Sequence, residues 1–386
     1  MFSRQIQQEL AQTAAEYPVV TITGPRQSGK TTLAQMQFPG YRYANLEMPE
    51  LRQLATDDPQ GFFAQYPAPV IIDEIQRVPE LLSYIQARSD KSKKRGQYIL
   101  TGSHQVRLRE AVSQSLAGRA GLLSLLPLSI EELKNSNAAA LDRDELIYRG
   151  FMPRIYQENV DPTRLYRNYF QTYVERDVRQ MINVKSLIAF ENFMRLLAGR
   201  IGQIVNLNSL AGDVGVSGTT LKEWLSVLEA SFIIFRLPPY FENLGKRIVK
   251  SPKIYFIEVG LAAYLLGIEK AEQVARDPLR GNLFENMVVI EALKARLNAG
   301  SDPGLFFFRD NQDHEVDLIF KHGRRLIPVE IKSAMTFNKD FVKRLEYFKK
   351  IAPDAGNGAV IYAGELSLEV SGSKFVNFTN TASIFA

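Results

Sequence analysis

Apolar and polar positions change their rhythm several times along this chain. Residues 19–23 (VVTIT) form a short, nearly continuous apolar run that ends at Gly24, and residues 69–73 (PVIID) and 98–101 (YILT) have the same character. Runs this short, bounded by turn residues and separated by stretches of three- and four-residue apolar spacing, predict strands buried on both faces of a parallel sheet, with helices covering each face. Residues 41–47 (YRYANLE) and 122–126 (LLSLL) predict two further strands, and residues 5–17 an amphipathic helix leading into the first. The pattern is that of a five-stranded α/β domain ending near residue 130.

Beyond that point the period is helical. RLYRNYFQTYVERDV at 164–178 carries apolar or aromatic positions at helical spacing, so residues 131–200 are expected to form a helical lid or linker. Residues 206–234 predict a short helix, a glycine-containing turn and a longer helix, with Ser209 and Ser217 as N-caps and Trp224 on the buried face. FRLPPY and KIYFIE then predict two extended pieces joined by a turn-rich stretch, so residues 201–277 read as a winged helix-turn-helix. After Asp277 and Pro278 a helix around 284–297 precedes strands in LFFFRD, EVDLIF and LIPVEIK, with AVIYA near Ala359 as one more. The expected architecture is a parallel-sheet α/β domain at 1–130, a helical region at 131–200, a winged helix at 201–277 and an α+β domain at 278–386.

Composition narrows this picture only a little. A chain of 386 residues with 45% hydrophobic and 23% charged residues suits two or three globular domains. No apolar run approaches the roughly 18 residues that span a bilayer, and the start MFSRQIQQEL lacks a signal-peptide core, so a cytoplasmic protein with no membrane partner is expected. The lack of cysteine excludes disulfides, thiolate metal sites and cysteine nucleophiles. A net charge of +5 permits a nucleic-acid partner without requiring one.

Candidate chemistry concentrates where the first strand ends, at Gly24, Pro25, Arg26, Gln27, Ser28, Gly29, Lys30, Thr31 and Thr32. A glycine, four residues and then Gly-Lys-Thr, set between a strand and a helix, form a phosphate-binding loop. Its glycines let backbone N–H groups turn toward phosphate oxygens, and the helix start adds the positive end of its dipole. Lys30 is expected to neutralise the β- and γ-phosphates of a nucleoside triphosphate and the Thr31 hydroxyl to hold its Mg²⁺. Asp73 ends the next buried strand but one and is expected to hold the same ion through water, while Glu74 orients and deprotonates the attacking water. The following strand ends in Thr101-Gly102-Ser103-His104. Ser103 is the first choice for a hydrogen bond to the attacking water or γ-phosphate, Thr101 the second, and His104 is read as a surface residue. Among Arg107, Arg109 and Arg119, the last is chosen to stabilise the transferring phosphoryl group, against an ordinary ion pair.

Taken in order, GPRQSGKTT, YANLE, PVIIDEIQ, YILTGSH, SLAGRAGLLSLLPLS and YRGFMP resemble the AAA-type ATPases of bacteria and archaea that carry a helical and nuclease-like C-terminal region. The resemblance covers nearly the whole chain and is strongest in the first 130 residues. It implies an ATP-binding core related to the signal-transduction ATPases, with Gly150 to Pro153 matching a Gly-x-Pro element that contacts nucleotide from the helical lid.

Two further groups carry chemistry. The recognition helix of the winged region is expected to expose Thr219, Thr220, Lys222 and Glu223, and the wing carries Lys246, Arg247, Lys250 and Lys253, suited to the phosphates of a nucleic acid, DNA rather than RNA. In HEVDLIF and PVEIKSA, Glu330 and Lys332 lie on one face because side chains alternate along a strand, and Asp317 on the preceding strand joins them if the two strands pair. With Glu285 on the preceding helix this fits the Asp…Glu-x-Lys signature of restriction-endonuclease-like nucleases. Glu285, Asp317 and Glu330 are expected to bind a second Mg²⁺, and Lys332 to position water against a phosphodiester, with His314 and Glu315 assisting. The whole predicts an ATP-hydrolysing protein that acts on or is regulated by DNA and carries a nuclease-like module. The competing reading is an ATP-gated switch whose last domain docks a partner or nucleic acid without cutting. A homo-oligomer is left open, and with it whether an arginine acts from a neighbouring subunit.

Overall fold

The five short apolar runs of the N-terminal region become one parallel sheet. The computed structural model describes residues 2–103, 115–136, 142–178, 186–240 and 251–385. It divides into a first unit, Met1–Leu128 with Ala230–Phe232 and Leu297–Ser301, and a second comprising Ser129–Glu229, Ile233–Arg296 and Asp302–Ala386. In the first unit α1 (Gln7–Glu16) leads into β1 (Val19–Thr23), α2 (Lys30–Gln37), β2 (Arg42–Asn45), α3 (Pro49–Asp57), α4 (Pro59–Gln65) and β3 (Val70–Asp73). Then come α5 (Leu81–Ser92), β4 (Tyr98–Gly102) and β5 (Ala120–Ser124). All pairings are parallel, in the order β2-β3-β4-β1-β5.

Alternation along the strands explains why both faces are apolar. Val20, Ile22, Ile71 and Ile99 pack with Leu10 and Leu33 on one face, whereas Val19, Val70, Ile72 and Leu100 pack with Phe62, Leu81 and Ile85 on the other. Period two with both sides covered gives the near-continuous apolar strands seen in the sequence. The strand order has one consequence for chemistry: β4 lies between β1, which carries the glycine loop, and β3, which ends in Asp73.

The second unit begins with helices α6 (Ile130–Lys134), α7 (Arg143–Arg149), α8 (Pro153–Gln157) and α9 (Pro162–Tyr169), continued by a wide-turned helical stretch at Phe170–Val178 and by α10 (Leu187–Ala198). Helices α11 (Leu207–Val214) and α12 (Gly218–Ala230) follow, joined by Gly215 in the left-handed conformation (φ 78°), as a tight turn after a helix requires. The N-cap of α11 is Asn206, whose side chain accepts from the N–H groups of Asn208 and Ser209; the expected cap, Ser209, lies within the helix, while Ser217 does cap the next. Trp224 is buried and meets Phe190 and Phe193 edge-on, both at 5.3 Å. Strands β6 (Ile234–Leu237) and β7 (Lys253–Phe256) pair antiparallel.

Helices α13 (Val259–Leu265) and α14 (Arg280–Asn298) lead to a mixed sheet of β8 (Leu305–Arg309), β9 (Glu315–His322) and β10 (Arg325–Lys332). Helix α15 (Lys343–Ile351), β11 (Ala359–Tyr362), β12 (Glu369–Val370) and β13 (Ser373–Asn377) complete it, in the order β12-β13-β11-β10-β9-β8. Leu345 and Phe348 of α15 pack on Phe308, Val360 and Phe375 of the sheet. Among the described residues no helix is long and apolar enough to cross a membrane.

Candidate functional site: a phosphate loop and an acidic strand end

The loop between β1 and α2 is shaped by backbone conformations that other residues resist. Gly24 has φ 154° and Gly29 has φ 91°, and a Cβ on Gly24 would stand 2.1 Å from the Leu125 carbonyl oxygen. Only glycine lets the two chain segments approach so closely. Helix α2 starts at Lys30, so the N–H groups of its first turn have no partner within the helix and face the loop, the usual setting for an anion. From the other side, Arg4 donates to the carbonyls of Ser28 (2.8 Å) and Leu126 (2.7 Å) and so braces the loop from beneath.

Lys30 is buried within this loop, and its ammonium donates to the carbonyls of Gly24 (3.0 Å) and Pro25 (2.8 Å). Burial lowers its pKa from 10.5 to about 8, against the pull of Glu74 and Asp73. The Thr31 hydroxyl donates to Asp73 Oδ2 at 2.9 Å, and Tyr43 donates to the same oxygen at 2.8 Å. Asp73 Oδ1 accepts from Thr101, which the strand order places beside it. A hydroxyl and a carboxylate at the phosphate loop form an oxygen donor set that suits Mg²⁺, the ion that accompanies nucleoside triphosphates.

The residue after Asp73 is turned outward by its backbone. Glu74 has φ 56°, a left-handed conformation rare for a non-glycine residue and often found where a side chain is aimed for function. Its carboxylate accepts from Ser103 at 3.2 Å and from Gln76. Asp73, Glu74, Thr101 and Ser103 therefore come together as the sequence spacing suggests. Tyr43, Arg4 and Gln76 join them without having been anticipated. Tyr43 had a signal, alternation within β2; Arg4 had none.

Arg119, expected to meet the transferring phosphoryl group, does not lie at the phosphate loop of its own chain. It sits immediately before β5, whose first residue Ala120 pairs with Val19, the far end of β1 from the phosphate loop. There its guanidinium grips Asp90 at 2.6 Å, the ordinary ion pair weighed against the catalytic role. His104, Arg107 and Arg109 lie outside the described residues. The turn at Gly150 to Pro153 is packed inside the second unit, where the Phe151 N–H donates to Glu258 at 2.8 Å and Tyr156 donates to the Gly150 carbonyl at 2.6 Å.

The acidic pocket of the second unit is assembled largely as the spacing suggests. Antiparallel pairing of Val329 with Leu318 sets Asp317 opposite Glu330, on one face with Lys332. Lys332 contacts Glu330 and stands 3.7 Å from Asp317; Arg344 of α15 is 3.3 Å from Glu330 and 3.7 Å from Asp317. Burial and Asp317 raise Glu330 to about 8, against Lys332.

Glu285 is held by two residues of β7. Its Oε1 accepts from Tyr255 at 2.6 Å and from Lys253 at 3.0 Å, and Lys253 also reaches Glu315 at 2.6 Å. Among the described residues no group of three or more acids or imidazoles stands close enough together to hold a metal ion. Lys253 and Tyr255 share one oxygen of Glu285, while Lys332 and Arg344 approach Asp317 and one oxygen of Glu330. Lys253 is likewise buried in this pocket and is not an exposed wing residue; Lys246, Arg247 and Lys250 lie outside the described residues. Burial pulls the Lys253 pKa down, but Glu285, Asp317 and Glu315 outweigh it and hold the ammonium charged. His314 turns to Asp310 (3.2 Å) and stacks on Tyr347, away from Asp317. On α12, Thr219, Lys222 and Glu223 are exposed and Thr220 half-buried.

A five-stranded parallel sheet, a glycine loop that buries a lysine, and an Asp-Glu pair two strands away define a P-loop domain of the AAA-type ATPases. The family model described as an AAA domain matches residues 16–134, and two models of domains of unknown function, DUF8612 and DUF4143, match residues 141–272 and 280–381. The chain belongs to the same family as the "Uncharacterized protein Rv2008c" of Mycobacterium tuberculosis and the "Uncharacterized protein Mb2031c" of Mycobacterium bovis. It is 32% identical to each over 324 residues, covering 83% of this chain and 71% of theirs. Among solved structures, "The walker-type atpase paby2304 of pyrococcus abyssi" aligns with a TM-score of 0.46 and 15% identity over 69% of this chain and 96% of that one.

Proposed function

We propose that this protein is an ATP-hydrolysing switch of the AAA type whose C-terminal unit engages its partner without cutting it. The observation that carries the first part is the pair of contacts at neighbouring strand ends: Thr31 with Asp73 at 2.9 Å, and Ser103 with Glu74 at 3.2 Å. Thr31 and Asp73 would hold Mg²⁺, which when bound neutralises charge on the β- and γ-phosphate oxygens. Lys30 adds its ammonium to the same oxygens. Glu74, held by Ser103 and Gln76, orients the attacking water and takes its proton, and the buried surroundings exclude competing solvent. Glu74→Gln is expected to keep ATP binding and to lower turnover by about 10²-fold or more, the scale of a lost general base. Unchanged turnover in that variant would refute the assignment.

For the second unit, helices α11 and α12 with strands β6 and β7 support a winged helix-turn-helix, and the mixed sheet with Asp317, Glu330 and Lys332 supports a restriction-endonuclease-like module. Cleavage of phosphodiesters is the weaker reading, because every acid of the pocket is already paired with a cation. DNA is the partner this proposal expects, from the net charge of +5 and the exposed Lys222 on α12.

A further inference from the structure

The acidic pocket contains more cations than a metal site needs. A cavity of about 530 Å³ in the second unit is lined by Lys253, Arg309, Lys332 and Arg344 together with Glu285, Glu315 and Asp317. Lys253 belongs to β7, Glu285 to α14 and Glu315 to β9, so three separate elements meet at one ammonium. That side chain is 2% exposed, with Nζ 3.0 Å from Glu285 and 2.6 Å from Glu315. Tyr255, two residues along the same strand and therefore on the same face, donates to the Glu285 oxygen that Lys253 also uses. Arg309 takes the other oxygen of Glu315 at 3.3 Å. At the far side Asp317 Oδ2 accepts the Ile331 N–H at 2.8 Å, while one oxygen of Glu330, Oε2, is buried with no hydrogen-bond partner.

We propose that the Lys253 ammonium is the resident cation of this pocket, standing between Glu285 and Glu315 in the cavity that Asp317 also lines, where a divalent ion would otherwise bind, so that the protein as folded has no functional metal site there. This rests on reading Asp317, Glu330 and Lys332 as a nuclease-type site. A divalent ion requires carboxylate oxygens with free lone pairs and little positive charge nearby. Here both oxygens of Glu315 and Oε1 of Glu285 are spent on Lys253, Tyr255 and Arg309, and an incoming ion would meet a buried ammonium of like charge. Glu330 keeps one buried oxygen, Oε2, that none of these cations meets. The tethered ammonium ties β7 to α14 and β9 by charge.

The test is Mn²⁺ binding to the full chain without nucleotide, followed by electron paramagnetic resonance, in the wild type, Lys253→Gln, and each of these with Asp317→Asn. The wild type is expected to show no site that depends on Asp317 in the millimolar range. Lys253→Gln is expected to gain one, tighter by about tenfold or more, which Asp317→Asn removes. Lys253→Met with Glu315→Gln, which leaves less unpaired charge and retains Asp317, is expected to behave the same way if the single variant does not fold. Equal, Asp317-dependent binding in wild type and variant would overturn the role of Lys253 while leaving the metal-site reading intact. No binding in any folded variant would overturn both.

Discussion

Lys30 illustrates how much a single side chain can reveal about its ligand. A lysine buried in a ring of carbonyls, with its pKa lowered to about 8, is held ready for an anion that is not yet supplying charge. Bound phosphate stabilises the protonated form, so the pKa rises on binding and the sign follows: below pH 8 the ammonium is already charged, and above it nucleotide binding must take up a proton. Calorimetry in buffers of different ionisation enthalpy at pH 8.5 is expected to show uptake of a fraction of a proton per ATP, with affinity falling as pH rises further; no uptake would show that the Lys30 ammonium is already fully charged before nucleotide arrives. At this scale the sequence was informative where a motif fixes the neighbour, as for Lys30, Thr31, Asp73 and Glu74. It did not reveal the partners of Arg119 and Lys253, because Asp90 and Glu285 lie 29 and 32 residues away and are set by folding alone.

Between elements, short turns hold the site and the packing together. The end of α7 is an example: Gly150 has φ 64°, and a Cβ there would fall 2.1 Å from both Glu258 Oε1 and the Tyr166 hydroxyl. Gly150→Ala is therefore expected to destabilise the second unit by about 1–3 kcal/mol, from strain and overpacking together. Denaturant midpoints followed by the fluorescence of Trp224, the chain's single tryptophan, check this, and an unchanged midpoint would contradict the packing. Most strands were legible because each is an apolar run between turn residues. The last two, β12 and β13, were not: EV and SKFVN are too short or too polar to stand out, and pairing with β11 is what makes β13 a strand. The same holds for Asn206, which outcompeted Ser209 as a cap only because the helix begins one turn earlier than its apolar period suggests.

For the molecule as a whole, the question is what ATP hydrolysis responds to. If DNA is the effector, duplex DNA is expected to raise the steady-state ATPase rate several-fold, with the effect fading as salt rises because phosphate contacts release counterions. A rate indifferent to duplex DNA, single strands and RNA would point instead to a protein partner. The sequence by itself determined the nucleotide chemistry, since a phosphate loop is built from backbone conformation and a few adjacent side chains, and those are written locally. It also determined that Glu330 and Lys332 share a face, because strand alternation has a fixed period, whereas the pairing of β9 with β10 is what adds Asp317. Only the tertiary structure decided which charges neutralise one another. Whether an acidic pocket is free to take a metal depends on what else folding brings into it, and here β7 brings Lys253 to oxygens that its own stretch of sequence gives no sign of.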